Sequence, residues 1–195
     1  MIFRIFALLL AVVLVSLPAS ASVNWSNTVV VIVSNSEYDL DGVPDLPFAG
    51  RDGDAMLEFV RKGLKVSPSN IKHLNNAIIS DFQAVFDEGR WLDQQVQRTK
   101  GNVLVYISGH GVPDSEQNAY FVPIRTDPSY PAGLYPRSKV VAALERAKRY
   151  QAGRDRRVLA LFDSCFSGDS SEGAVTPGKT GLPSQAIKSN LDEIT

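Results

Sequence analysis

Three short runs of nearly unbroken apolar residues recur along the chain: Thr28-Val29-Val30-Val31-Ile32-Val33, Asn102-Val103-Leu104-Val105-Tyr106-Ile107 and Arg157-Val158-Leu159-Ala160-Leu161-Phe162. None alternates polar with apolar, so each predicts a strand buried on both faces, as in a parallel sheet. Between them the apolar positions follow helical spacing. Ala55, Met56, Phe59, Val60 and Leu64 predict a helix over 52–64. Ser80 or Asp81 caps a second helix whose apolar face holds Phe82, Val85, Phe86, Trp91 and Val96, with Gly89 as an interruption. A third helix covers about 138–150, with Val140, Val141, Leu144 and Ala147 facing inward. Shorter strands are expected at 71–74 and 120–124, and a loop rich in Asp, Pro and Gly at 34–50. Strands alternating with helices predict an α/β fold: three layers, with a mostly parallel central sheet flanked by helices. From Asp169 onward Ser, Gly, Pro and Lys dominate, which predicts loop or disorder.

The N-terminus follows another pattern. Arg4 precedes an apolar run from Ile5 to Leu17, followed by Pro18-Ala19-Ser20-Ala21. This is the layout of an export leader cleaved after an A-x-A site. The run is short for a spanning helix, which needs about 20 apolar residues, although a retained anchor is the competing reading. The expected division is a leader at 1–21, one domain at 22–168 and a tail at 169–195. No later segment reads as transmembrane, so no stable membrane insertion is expected once the leader is removed. The expected location is outside the cytoplasm, periplasmic or secreted.

Composition narrows the partners. With 195 residues, 44% hydrophobic and 21% charged, the chain suits one globular domain with one core. Its formal net charge of -1 gives no reason to expect nucleic acid. The densest basic group, Lys148, Arg149, Arg154, Arg156 and Arg157, is interrupted by Asp155 and reads as a solvated helix end.

Candidate chemistry centres on Cys165, the single cysteine. It has no internal disulfide partner, so it is either a small buried hydrophobe or a reactive thiol. Its neighbours favour the second reading. The second apolar run leads into Ser108-Gly109-His110-Gly111 and the third into Asp163-Ser164-Cys165-Phe166-Ser167-Gly168. Sites in open α/β sheets gather beyond the carboxyl ends of strands. Parallel neighbouring strands would therefore bring His110 and Cys165 to one edge. A cysteine nucleophile needs a nearby base or cation to populate its thiolate. His110 is the histidine at a strand end; His73 sits in the plainer context Ile71-Lys72-His73-Leu74. Backbone amides near Gly109 and Cys165 are the expected oxyanion donors.

These motifs resemble those of caspase-like cysteine peptidases. Tyr106-Ile107-Ser108-Gly109-His110-Gly111 resembles their strand-plus-SGHG signature. Asp163-Ser164-Cys165-Phe166-Ser167-Gly168 is similar to the D-x-C-x-S-G signature of metacaspases and their bacterial relatives, the orthocaspases. The His-to-Cys separation is also that of the family. The resemblance covers roughly 28–168 and extends to Leu46-Pro47-Phe48-Ala49-Gly50-Arg51-Asp52. It implies a caspase-like fold, a cysteine-type endopeptidase with a His110/Cys165 dyad, and peptide or protein substrates. It further implies that Asp52 and Asp163, with Ser108 beside them, bind a basic P1 side chain. Converging carboxylates favour Arg or Lys there and repel Asp. A helix N-cap is the competing role for Asp52, and a loop cap for Asp163. Arg51 keeps an acidic P1 residue open as an alternative. Metacaspases often require calcium, for which Asp169 and Glu172 are the nearby acidic loop residues; no metal site is assigned. The chain ends 30 residues after Cys165, where family members usually continue with further strands. This leaves a non-catalytic caspase-like binding module with an incomplete cleft as the second reading. A thiol redox protein is disfavoured by the lack of a C-x-x-C pair.

Overall fold

The computed structural model describes residues 24–113 and 118–164, together with the backbone of 169–170 and 173–174. The expected leader, Cys165, Gly168, Glu172 and the side chain of Asp169 lie outside the described residues. The elements in chain order are β1 (Thr28–Ser34), α1 (Pro47–Glu58), β2 (Ile71–Asn75), α2 (Ile79–Phe86), α3 (Trp91–Thr99), β3 (Asn102–Ser108), β4 (Gly111–Pro113), β5 (Ala119–Phe121), β6 (Tyr135–Pro136), α4 (Arg137–Tyr150) and β7 (Val158–Asp163).

The three apolar runs form the main sheet with β2, in the order β2-β1-β3-β7, and every pairing is parallel. All seven residues of β1 and all seven of β3 are buried, as their unbroken apolar pattern requires. One face of the sheet presents Val29, Val31, Val33, Val103, Val105 and Ile107 to α2, α3 and α4, whose Phe82, Phe86, Leu92, Val96 and Leu144 complete the larger core. The opposite face presents Val30, Ile32, Leu104 and Tyr106 to Met56, Leu57, Val60 and Leu64. The molecule is thus an α/β protein of three layers. A small antiparallel sheet, β4-β5-β6, sits beyond the C-terminal edge of β3 and absorbs the strand expected at 120–124.

Several helices differ from their sequence patterns. α1 starts at Pro47 rather than at Asp52, because proline suits the first helical position, where an N–H is not needed. Asp52 is therefore interior to the helix and does not cap it. The chain widens into a π-turn over Phe59–Gly63, with the Leu64 N–H donating to the Phe59 carbonyl at 3.1 Å. The wider turn rotates the face: Phe59 is 53% exposed, Ala55 is exposed, and Val60 is buried. Gly53 takes the inward position of α1, where a Cβ would collide with Ser34 Oγ. The second predicted helix is divided into α2 and α3 by Gly89 at φ +72°. Asp81 does not cap α2 as the residue before it; from inside the first turn its Oδ2 accepts the Ile78 N–H at 3.0 Å. In α4 the inward stripe is Val140, Ala143, Leu144 and Ala147, with Val141 only half-buried.

Arg146 joins the helices on this side. Its guanidinium donates to Asp93 Oδ2 at 2.9 Å and to the Phe86 carbonyl at 2.7 Å. Beyond β7, Asp169–Ser170 and Gly173–Ala174 form a two-residue antiparallel ladder in a stretch expected to be loop. Among the described residues, no helix is long and apolar enough to cross a membrane.

Candidate active site

The β3–β7 register sets the frame of the site. Ser108 pairs with Asp163 as the last couple of the ladder. His110 and Cys165 each stand two residues beyond that couple. The chain leaves β3 through Gly109 at φ +151°, a backbone state open to glycine and rare for other residues. A Cβ on Gly109 would meet the Tyr38 hydroxyl at 3.0 Å and Asn35 Cβ at 3.1 Å. Glycine is needed here both for the turn and for the close approach of the loop after β1. The Gly109 N–H donates to the Asp163 carbonyl at 3.2 Å, which extends the ladder by one bond. This amide, expected as an oxyanion donor, is therefore committed between the two strands. The Cys165 amide lies outside the described residues.

His110 is 3% exposed. Its Nε2 lies 2.7 Å from the Pro44 carbonyl oxygen. A carbonyl only accepts, so Nε2 carries the hydrogen and Nδ1 is the basic nitrogen of the neutral ring. The His110 backbone N–H donates to the Tyr38 hydroxyl at 2.8 Å, and the two rings lie 4.7 Å apart at 50°. Behind them, Asn35 fastens the strand end to its surroundings. Its side chain donates to the Val122 carbonyl at 3.2 Å and accepts the Ala77 N–H at 2.7 Å, while its N–H donates to the Ser108 carbonyl at 3.0 Å. The His110 carbonyl in turn accepts the Val122 N–H at 3.0 Å.

The acidic group forms on the α1 side of the sheet. Ser34, Ser108 and Asp163 occupy one row across β1, β3 and β7. Ser108 Oγ donates to Asp163 Oδ2 at 3.2 Å, and the Tyr106 hydroxyl reaches the same oxygen at 3.4 Å. Burial pushes the Tyr106 hydroxyl above its usual value, and the negative charges of Asp163 and Asp52 add to this against the Ser108 hydrogen bond. The exposed Asp52 carboxylate of α1 thus acts on the same hydroxyl as Asp163 does. The structure brings Ser108 and Asp163 into contact and sets Asp52 within electrostatic reach of the Tyr106 hydroxyl. Arg51 turns elsewhere, with its guanidinium over the Phe48 ring at 5.4 Å.

Sequence reasoning passed over Tyr106, Tyr38, Pro44 and Asn35. Tyr106 had a readable signal: it stands two positions before Ser108 in the same strand and so shares its face. The other three act across 66 to 87 residues of chain, partly through backbone atoms, and no spacing rule reveals them. His73 lies in β2, half-buried, with Nε2 3.4 Å from Ser34 Oγ. That hydroxyl already donates to Asn75 Oδ1 at 2.7 Å, so the pair is a packing contact of the sheet. Among the described residues, no three His, Cys, Asp or Glu side chains converge as a metal-ligand set.

No protein-family model matches the chain, and neither does any curated protein. Among solved structures the chain is similar to caspase-1 from Spodoptera frugiperda, with a TM-score of 0.47 and 13% identity over 76% of this chain and 50% of that one. It is also similar to pro-sf-caspase-1, at 0.47 and 15% over 83% of this chain and 54% of that one. The Drosophila initiator caspase Dronc gives 0.49 and 13% over 78% and 61%. The chain thus spans half to three fifths of the length of these proteins. These are likenesses of chain path, and the chemistry rests on the residues themselves.

Proposed function

We propose that this chain is a cysteine-type endopeptidase of caspase-like kind, with His110 and Cys165 as its dyad. The observation that carries the reading is the β3–β7 register, which ends both motif strands at the same couple, Ser108 and Asp163. Nδ1 of His110 takes the proton from the Cys165 thiol. The thiolate attacks the peptide carbonyl, and the imidazolium returns the proton to the leaving amine. Water, deprotonated by His110, then hydrolyses the acyl-enzyme and releases Cys165. The Cys165 amide serves the oxyanion; the Gly109 amide joins it only if its bond to the Asp163 carbonyl opens.

The P1 side chain is basic in this reading. Asp163, held by Ser108 and Tyr106, and Asp52 on α1 supply negative charge to one place, and charge-assisted hydrogen bonds to a guanidinium are the strong ones. The leader reading of 1–21 makes this an exported peptidase, a point that N-terminal sequencing of the mature protein tests. Calcium enters no step; a family-like requirement would fall to the acidic residues Asp169 and Glu172.

The deciding experiment is cleavage of fluorogenic peptides ending in Arg, Lys or Asp, with and without calcium, by wild type and Cys165→Ala. We expect turnover after Arg or Lys that the substitution abolishes. Turnover that survives Cys165→Ala removes the dyad from the reaction. A folded wild-type protein that cleaves nothing favours the non-catalytic binding module.

A further inference from the structure

The loop between β1 and α1 is a closed unit. The Leu46 N–H donates to the Ser36 carbonyl at 2.8 Å, and within this ring the Leu40 N–H reaches Tyr38 O and the Val43 N–H reaches Leu40 O. One further bond crosses the loop: the Tyr38 N–H donates to Asp45 Oδ1 at 2.7 Å. The two residues that touch His110 from this loop, Tyr38 and Pro44, are thereby tied through Asp45, the neighbour of Pro44. Together they hold His110 at three places. The Tyr38 hydroxyl accepts its backbone N–H, the Tyr38 ring lies against the imidazole, and the Pro44 carbonyl takes Nε2–H.

We propose that Tyr38 and Asp45 are positioning residues that hold His110 as its Nε2–H tautomer with Nδ1 presented as the base. The inference rests on the reading of His110 as the base of the peptidase. A histidine serves as a base only with the correct nitrogen bare, and that nitrogen is chosen by what the other one donates to. The Pro44 carbonyl can make this choice only while the loop keeps it within 2.7 Å, and the Asp45 carboxylate is what spans the loop at that point. Tyr38 secures the other side of the ring. Without its oxygen, the buried N–H of His110 loses its acceptor and the strand end shifts to find another. Burial pushes the Tyr38 hydroxyl well above its ordinary value, against the hydrogen bonds from His110 and Asn35. The acceptor is therefore a neutral phenol throughout the working range and adds no charge to the base.

The chain holds two histidines, so ring nitrogen-15 spectra of the full protein are readable directly, with His73→Gln assigning the pair. The spectra are recorded for wild type, Tyr38→Phe, Asp45→Ala and Asp45→Asn, and kcat and KM are measured on the best peptide substrate. In wild type, His110 is expected to show the Nε2–H tautomer alone. Tyr38→Phe and Asp45→Ala should mix the tautomers and lower kcat on the order of tenfold, with KM within about twofold. Asp45→Asn keeps the acceptor oxygen and should restore most of what Asp45→Ala loses. An unchanged tautomer in both Tyr38→Phe and Asp45→Ala overturns the proposal, and so does a loss confined to thermal stability. If Tyr38→Phe does not fold, the Asp45 pair decides. If wild type cleaves no peptide while the tautomers respond as stated, the positioning stands and the reading of His110 as a peptidase base falls.

Discussion

β3 and β7 lie side by side in one register, yet they stand in different surroundings. All seven residues of β3 are buried, and it pairs with a strand on each side. Among the described residues β7 is the edge of the sheet, and its residues alternate between half-buried and exposed. The contrast is sharpest on the α1 face, where Leu104 of β3 is 4% exposed and its register partner Leu159 of β7 is 43% exposed. α1 and the π-turn after it cover the first and leave the second in the open. The strand leading to His110 therefore takes its position from the core, and that position is inherited by the imidazole. Among the described residues, the strand leading to Cys165 is held by its ladder to β3, by the Ser108–Asp163 contact and by Phe162 edge-on to Phe121 at 5.4 Å. The relative placement of the two strand ends, Ser108 and Asp163, is only as good as the pairing of β3 with β7.

The largest effect should come from testing that asymmetry with one residue type in two places. Leu104→Ala empties a closed site and should cost about 2–5 kcal/mol in denaturant unfolding. Leu159→Ala, at the paired position, should cost less than about 1 kcal/mol. Equal losses would show β7 to be as enclosed as β3. Next in size is Gly109→Ala, which forces a Cβ onto a backbone at φ +151° and against Tyr38 and Asn35. It should lower stability by about 1–3 kcal/mol and peptidase activity by a larger factor than unfolding explains. A neutral result would mean that the strand end relaxes freely. The smallest effect concerns acid. Burial holds the pKa of His73 below its ordinary 6.5, with only partial opposition from Asp54. The folded state thus binds its proton less readily than the unfolded chain does. Stability should be full above about pH 6.5 and fall gently as the pH drops toward the lower folded value. His73→Gln should flatten that slope, measured as the unfolding midpoint between pH 7 and pH 5.

The main sheet was legible because buried strands leave unbroken apolar runs, as β1 and β3 do. β7 carries such a run too, but Leu159 and Leu161 are exposed on one face, so the expectation of a strand buried on both faces fails for it. His110, Ser108 and Asp163 were legible for the same reason: they stand at the ends of those runs, where polar residues have to be explained. The start of α1 was misread because its apolar spacing only becomes regular after Asp52, while the physical start is the proline at 47. Its inward face was misread because the π-turn at Phe59–Gly63 breaks the 3.6-residue period on which the reading relied. The clamp on His110 was hidden for another reason. A proline carbonyl and a tyrosine hydroxyl accepting a main-chain N–H are functions of three-dimensional path, and the sequence spells neither.

The order of the strands also has a consequence for how the protein is made. β1, the loop that grips the imidazole, β2 and β3 all precede β7 in the chain, and among the described residues β7 joins the main sheet after the other three strands. Domains begin to fold from the N-terminus during synthesis. On the ribosome, His110 and its supports can be assembled while Cys165 has yet to be translated. Ser108 and Asp163 then meet only when β7 pairs with β3, so a nascent chain carries the held imidazole of His110 before the polar row across the strand ends is complete.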